Sequence, residues 1–379
     1  MKNERMRMMK MMDVEWMRMT MRRWTVRNSK TILRGFMVFG LIVFLMAFAQ
    51  NRLVHATILP ETNLQGNTPQ GETPQEVTLR AMTFNVRFDN PADGENRWEL
   101  RRDFAADLIR NSGASIIGTQ EGVVHQLDFL DEALHDFRYV GVGRDDGAKA
   151  GEFTAIFVDT TQFTIRDSGT FWLSETPERP SVGWDASMER IATYVVAVPA
   201  VQRVPSPSTA SPGTLSSSTA SPNNSPSTET APDTLSPSTT NPEPFLVINA
   251  HFDHIGEQAR LESARLIIQK ARELSQSPRM PMPVILMGDF NASTRTPPIQ
   301  AFLEHYRDAF EISKSPPEGP VSTFTGFVVK ESGYREPEGR IDYVFVNERV
   351  DVMSYRAMDD IREGRYVSDH FPVLVEVVW

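Results

Sequence analysis

The sequence predicts an α/β or α+β protein built on packed sheets, and three observations carry that prediction. Strand-length apolar runs and helical stretches intermix along the chain instead of separating into an all-helical and an all-strand half. The pattern occupies 77–201 and 245–379, about 260 residues together, which is enough chain for one large core. The 379 residues include no cysteine. A disulfide framework, a cysteine nucleophile and a thiolate metal site are thereby excluded, and burial alone must hold the fold.

In chain order, the first element belongs to targeting rather than to the fold. Residues 1–34 carry net charge +7, Gly35–Ala49 is uncharged and mostly apolar, and the remainder carries −17 of the chain's −10 total. An apolar run of fifteen residues behind a basic flank is shorter than the ~20 a spanning helix wants and suits a signal-peptide core of roughly 7–15. Residues 1–49 are therefore predicted to be a signal peptide or a membrane anchor, with Ala47-Phe48-Ala49 as a small-x-small cleavage site. Basic residues ahead of the run stay cytoplasmic, so the rest of the chain is expected to be exported, either free or membrane-tethered. Nine of the 18 methionines fall in residues 1–21, and a start at Met21 would leave a conventional signal peptide. Residues 50–76 are polar and dotted with Pro and Gly, which reads as a tether.

Strands are predicted next at Val77–Phe84, Ser115–Thr119, Glu152–Val158, Ile191–Val201, Phe245–Phe252, Val284–Gly288, Asp342–Val346, Val350–Arg356 and His370–Val378. Helices are predicted at Trp98–Asn111, Gln126–His135, Gly256–Ser275 and Pro297–His305. The third has the clearest period: Leu261, Ala264, Ile268, Ala271 and Leu274 share a face that Arg260, Glu262, Lys270 and Glu273 avoid. Between Ile191–Val201 and Phe245–Phe252 lies Pro205–Pro244, where Pro, Ser and Thr make 28 of 40 residues and STASP occurs twice. Such a stretch buries too little to order itself. It is read as an insert at the tip of a hairpin made by its two flanking strands, since closure entropy grows slowly with loop length.

The chemistry shows in what ends these strands. Apolar runs stop at Asn85, at Gln120-Glu121, at His251-Phe252-Asp253-His254 and at Asp289-Phe290-Asn291; Asp342 and Asp369-His370 open two others. Any one of these could cap a turn or sit satisfied in the core. Together they can converge on one rim of a sheet.

The motifs MTFNVR (82–87), TQEG (119–122), NAHFDH (249–254), GDFN (288–291), RIDYVF (340–345) and SDH (368–370) closely resemble those of the endonuclease/exonuclease/phosphatase superfamily, in a bacterial branch of it. The resemblance implies a four-layer αββα sandwich of two mixed sheets flanked by helices, with the active site at one edge of the paired sheets. It implies a Mg²⁺ site, Mn²⁺ being the alternative, with Asn85, Glu121 and Asp369 as metal residues. Hard oxygen ligands, few of them from protein, suit that ion. It implies that Asp289 orients or deprotonates the attacking water and that Asn291 holds a phosphate oxygen. His370 then contacts phosphate or handles a proton with Asp342 behind it, and His251 is the second histidine.

For the substrate wall the candidates are Asn96, Trp98, Arg144, Glu152, Trp172, Trp184, Arg190 and Phe324, with His254 as an extension of the histidine motif. Arg144, Glu152, Trp172, Arg190 and His254 are the residues assigned to substrate binding, since an arginine can clamp phosphate bidentately. The −17 charge after residue 34 disfavours long polyanions, and no basic, aromatic-interleaved stripe is found. The expected function is a monomeric, metal-dependent phosphoesterase acting on a small phosphorylated, lipid-phosphate or sugar-phosphate substrate. A nuclease of the same fold is the second reading and a noncatalytic tethered binding module the third.

Overall fold

Strand chemistry and pairing build the centre of the molecule. The computed structural model describes residues 76–200, 242–277, 280–329 and 339–379. The leader (1–49), nearly all of the tether and most of the insert lie outside the described residues. Among the described residues no helix is long and apolar enough to cross a membrane.

The first sheet holds β1 (Thr78–Asn85), β2 (Ile116–Gln120), β3 (Phe137–Val140), β4 (Ile156–Asp159), β11 (Asp351–Ala357) and β14 (Val373–Val378), in the order β11-β14-β1-β2-β4-β3. The second holds β5 (Phe163–Trp172), β6 (Ile191–Pro199), β7 (Phe245–His251), β8 (Val284–Asp289), β9 (Arg307–Asp308) and β10 (Asp342–Val346), in the order β5-β6-β7-β8-β10-β9. A two-stranded ribbon of β12 (Ile361–Arg362) and β13 (Arg365–Tyr366) stands apart. Each large sheet is mixed: β1 with β2 and β7 with β8 are parallel, and their remaining neighbours are antiparallel.

The layers follow from which faces are apolar. The inner faces meet in one core that takes Leu79, Ala81, Ile116 and Val375 from the first sheet and Val195, Val247, Ile285 and Val344 from the second. On the outer face of the first sheet, Met82, Phe84 and Ile117 pack against α1 (Trp98–Ser112) and α2 (Val124–Ala133). On the outer face of the second, Ile248, Leu286, Phe290 and Phe345 meet α3 (Glu257–Leu274) and α4 (Pro297–Leu303). A one-turn helix, α5 (Ala309–Ile312), follows β9. Helices cover two back-to-back sheets, which is the four-layer αββα sandwich.

Strand continuity was the weaker part of the sequence reading. The run Glu152–Val158 becomes strand only at Ile156, because the backbone of Arg144 and Phe153 pairs with loop groups before the ladder begins. Likewise His370 and Phe371 precede β14 and bond to the 323–325 loop instead. β5 was missed altogether, since the polar Arg166-Asp167-Ser168 interrupts its alternation where the strand carries a bulge between Ile165 and Asp167. β6 and β7 pair antiparallel from Ala192↔Ala250 to Ala197↔Phe245, so the insert connects two hairpin strands.

A polar clasp crosses the otherwise apolar inter-sheet core. Gln120 Nε2 donates to Asn249 Oδ1 at 2.6 Å, and Asn249 Nδ2 donates to the carbonyls of Thr119 and Ala155 at 2.9 Å each. Gly118 makes the room: a Cβ there would lie 2.6 Å from Asn249 Cγ.

Candidate active site

The parallel pairs put four strand ends on one rim. β1 and β2 deliver Asn85 and Glu121, while β7 and β8 deliver His251 and Asp289. β10 and β14 run antiparallel to these, so their entries, Asp342 and Asp369-His370, fall on the same rim. The strand directions thus bring the strand-end motif residues to one rim.

At the centre, one donor atom each from Glu121, Asp289 and His370 lies within 4.8 Å of the others. Asn85 Nδ2 donates to Glu121 Oε1 at 3.0 Å and to Asp289 Oδ2 at 3.1 Å. Phe88 N donates to Glu121 Oε2 at 3.2 Å. Three residues here sit in the left-handed region without being glycine: Arg87 (φ 58), Glu121 (φ 63) and Asn291 (φ 45). Such positions cost about 1–3 kcal/mol each and persist where the surroundings over-determine them, typically at functional sites. Gly288 (φ 147) answers another constraint, since its Cβ would lie 2.0 Å from the Ala250 carbonyl oxygen.

His370 and Asp342 form a close charged pair at the rim, with Nδ1 2.9 Å from Oδ2 and both groups buried. Thr323 Oγ1 accepts from the backbone N–H of Ile341 and Asp342 and holds that carboxylate's strand end. Burial by itself would lower the pKa of His370. The facing carboxylates of Asp342 and Asp289 outweigh it and raise the imidazole well above its ordinary range. Asp289 stands directly opposite Asp342 in the β8–β10 ladder. Burial first, and then that second carboxylate, push Asp289 up to about 7. Asp289 Oδ1 also accepts from Asn291 N at 2.9 Å, an Asx-turn that accounts for the kink at Asn291.

His251 is wired the other way. Asn291 Nδ2 lies 3.2 Å from its Nε2, and Arg190 Nη1 lies 3.2 Å from both ring nitrogens. Burial, followed by Arg190 and Arg144, pushes its pKa well below the ordinary value. This favours the neutral imidazole, with donors facing it and Asp289 Oδ2 3.5 Å from Nε2. Asn291 Nδ2 also donates to the Phe252 carbonyl at 3.0 Å, fixing the amide's direction.

The substrate-wall candidates divide. Arg144, Glu152, Arg190 and His254 gather beside His251: Arg144 Nη1 donates to Glu152 Oε2 at 2.7 Å, Glu152 Oε2 is 3.9 Å from His251 Nδ1, and Arg190 Nη2 donates to His254 Nδ1 at 2.9 Å. Burial raises the pKa of Glu152, with Arg144 opposing. Buried Asp253 accepts from Arg190 Nε at 3.4 Å and from Ser187 Oγ at 2.7 Å. Trp172 does not belong with them. It is buried on β5, and its indole N–H donates to the Arg144 carbonyl at 2.7 Å, so it props the loop rather than facing a ligand. Trp98 is a core residue of α1, edge-on to Phe129. Phe324 stays 41 % exposed with its ring 5.0 Å from that of His370.

Asp369, expected among the metal residues, is outside the tight three-residue cluster. Its Oδ1 accepts from Ser368 Oγ at 3.2 Å and its Oδ2 lies 3.7 Å from Arg87 Nη1. The sequence reading missed Arg87 as a site residue. Its Nη1 is also 3.8 Å from Glu121, while its other edge grips Asp93 at 3.0 and 3.1 Å. The usable signal was its position two residues after Asn85, inside the MTFNVR motif.

The chemistry of the donor set suits a hard divalent cation. Oxygen donors from Glu121 and Asp289 converge, with the Asn85 amide bonded to both. Residues 82–370 match the profile of the endonuclease/exonuclease/phosphatase family. The chain belongs to that family. Family members are metal-dependent phosphoester hydrolases, and this enzyme is one. Among solved structures, it is similar to an endonuclease/exonuclease/phosphatase family protein of Bacteroides thetaiotaomicron, with 32 % identity over 80 % of this chain and 99 % of that one, at a TM-score of 0.65. A mannosyl-6-phosphatase of the same organism shows 33 % identity over 79 % of this chain and 100 % of the other, with a TM-score of 0.64. A family protein of Bacteroides vulgatus shows 29 % identity over 79 % and 98 %, also at 0.64. No curated relative matches the chain by sequence.

Proposed function

We propose that this family enzyme uses Mg²⁺ to hydrolyse a small phosphate ester, with a sugar phosphate as its substrate class. The observation that carries the reading is the convergence of Glu121, Asp289 and His370 within 4.8 Å, next to Asn85. The likeness to a mannosyl-6-phosphatase across the whole of that chain supports a sugar phosphate. The −17 charge of the sequence after residue 34 argues against long polyanions.

Glu121, with the Asn85 amide beside it and Asp369 set further out, would hold the ion, which when bound neutralises charge on the phosphate. Asp289 accepts a proton from the attacking water as its oxygen bonds to phosphorus. His370, kept protonated by Asp342, donates a hydrogen bond to a phosphate oxygen and stabilises the charge that builds there. Asn291 donates to another oxygen, the ester P–O bond breaks in line, and the leaving alkoxide takes up a proton from solvent water as it departs. His251, held neutral by burial and Arg190, hydrogen-bonds to the phosphate without adding charge. Arg144, Glu152 and His254 form the adjoining wall that meets the alcohol part of the ester.

The test is a turnover panel of mannose 6-phosphate, other sugar phosphates, aryl and bis-aryl phosphates, DNA and RNA, with Mg²⁺ and with EDTA. Sugar-phosphate turnover abolished by EDTA is the expected result. Cleavage of DNA or RNA without phosphatase turnover replaces the reading with a nuclease, and no turnover of any ester sinks it. We read the enzyme as exported, by Gly35–Ala49 behind its basic flank; recovery of active full-length protein in the cytoplasm alone contradicts this.

A further inference from the structure

Arg101 lies on α1, behind the rim, and is among the largest fully buried side chains of the protein at 2 % exposure. Burying a guanidinium is expensive unless every N–H is satisfied, and a carboxylate partner is the usual remedy. None of its hydrogen bonds among the described residues goes to a carboxylate. Nη1 donates to the carbonyls of Val86 (3.0 Å) and Val367 (2.7 Å), Nε donates to that of Asn96, and Nη2 reaches that of Arg87 at 3.4 Å. The rings of Trp98 and Phe327 stand 5.6 and 5.3 Å from its Cζ.

The identity of those carbonyls gives the residue a purpose. Val86 directly follows Asn85, and Val367 precedes Asp369 by two residues and His370 by three. One nitrogen therefore bridges the exit of β1 and the approach to β14. Ser368 Oγ ties the same two segments one step nearer the site by donating to the Asn85 carbonyl at 2.7 Å. The first segment also carries Glu121, through Asn85 Nδ2 on Oε1 and Phe88 N on Oε2. A lateral slip of either segment would move Asn85 and Glu121 away from Asp369.

We propose that Arg101 is a positioning residue for the cation site: its Nη1 holds the Val86 and Val367 segments at one spacing, so that Asn85, Glu121 and Asp369 meet a divalent cation together. The proposal rests on the assignment of those three as cation residues. A lysine keeps the buried charge but lacks the further N–H groups that donate to the Asn96 and Arg87 carbonyls and fix where Nη1 sits. A glutamine supplies neither the charge nor the reach.

The experiment uses the full chain and measures Mg²⁺ binding by calorimetry, apart from turnover, for wild type, Arg101→Gln, Arg101→Lys and the exposed neighbour Arg102→Gln. Circular dichroism and melting establish which variants fold. The expected result is a Kd for Mg²⁺ at least tenfold weaker in Arg101→Gln, a smaller loss in Arg101→Lys, and wild-type binding in Arg102→Gln. In turnover, the Mg²⁺ concentration for half-maximal rate rises by the same factor, while kcat at saturating Mg²⁺ falls less. A folded Arg101→Gln that binds Mg²⁺ as wild type does overturns the proposal. If Arg101→Gln does not fold, Arg101→Lys decides: weakened binding in a folded Lys variant supports the proposal and unchanged binding defeats it. If neither folds, Arg101 serves folding and the positioning role is wrong. A wild type that does not bind Mg²⁺ fails the assignment of the cation residues itself, which separates the two failures.

Discussion

His251 and His370 are matched in burial and opposite in charge. Both sit at strand ends of the same rim, 6 % and 4 % exposed, one on each sheet. Burial drives both imidazoles toward the neutral form. At His370 the carboxylates of Asp342 and Asp289 reverse that, and at His251 Arg190 and Arg144 reinforce it. Depth is shared, so the sign of the neighbours distinguishes the two: in the proposed mechanism one is a cation for developing phosphate charge, the other a neutral hydrogen-bonding group. Two histidines set apart in this way divide the labour of a phosphate site without competing for one proton.

The comparison breaks hardest when its cation is removed. His370→Ala and Asp289→Ala are each expected to lower kcat by about 10³-fold, within the usual range for a positioned acid or base. Steady-state kinetics on the best substrate of the panel check this, and rates within tenfold of wild type would move the site elsewhere. Asp342→Asn keeps the shape but withdraws the charge that holds the His370 proton. It should cost about 10²-fold and shift the alkaline limb of the kcat/KM profile to lower pH, because the His370 pKa falls toward its ordinary value. An unshifted limb would mean that His370 is not the protonated partner.

Arg190→Met tests the neutral side, with a loss on the order of tenfold for a contact that orients rather than reacts. It lifts one of the influences that depress His251, so the acid limb should move to higher pH; movement downward contradicts the assignment. The smallest effect is on stability without metal. Asp289 in the folded protein keeps its proton up to about 7, whereas an unfolded aspartate releases it near 3.9. The folded state therefore binds more protons between these values, and its advantage is lost as pH rises through about 7. Metal-free Asp289→Asn escapes that loss. It should melt a few degrees above wild type at pH 8, with the gap closing as pH falls toward 4. A gap independent of pH across melting curves would be inconsistent with a raised Asp289.

Much of this site was legible before any coordinates. Asn85, Glu121, His251, Asp289, Asn291, Asp342 and His370 could be named because each ends or opens an apolar run, and buried strands expose polar groups only at their rims. The helix Glu257–Leu274 was legible from its apolar stripe. Contacts at long range were not. Trp172 carries the same letter whether it lines a pocket or props Arg144, and only the fold turns its indole onto that carbonyl. Arg101 reads as one more charge on an amphipathic helix. Its role depends on Val367, 266 residues away.

By itself the sequence determined most of the elements, the rim residues and the family, since these rest on local pattern: apolar period, strand-ending polar groups and short motifs. Tertiary structure alone decided the charge states. Whether a buried imidazole keeps its proton depends on which charges stand within a few ångströms, and here they come from segments 61 and 81 positions removed, as Arg190 is from His251 and Asp289 from His370. Coulomb interaction depends on distance in space and takes no account of order along the chain.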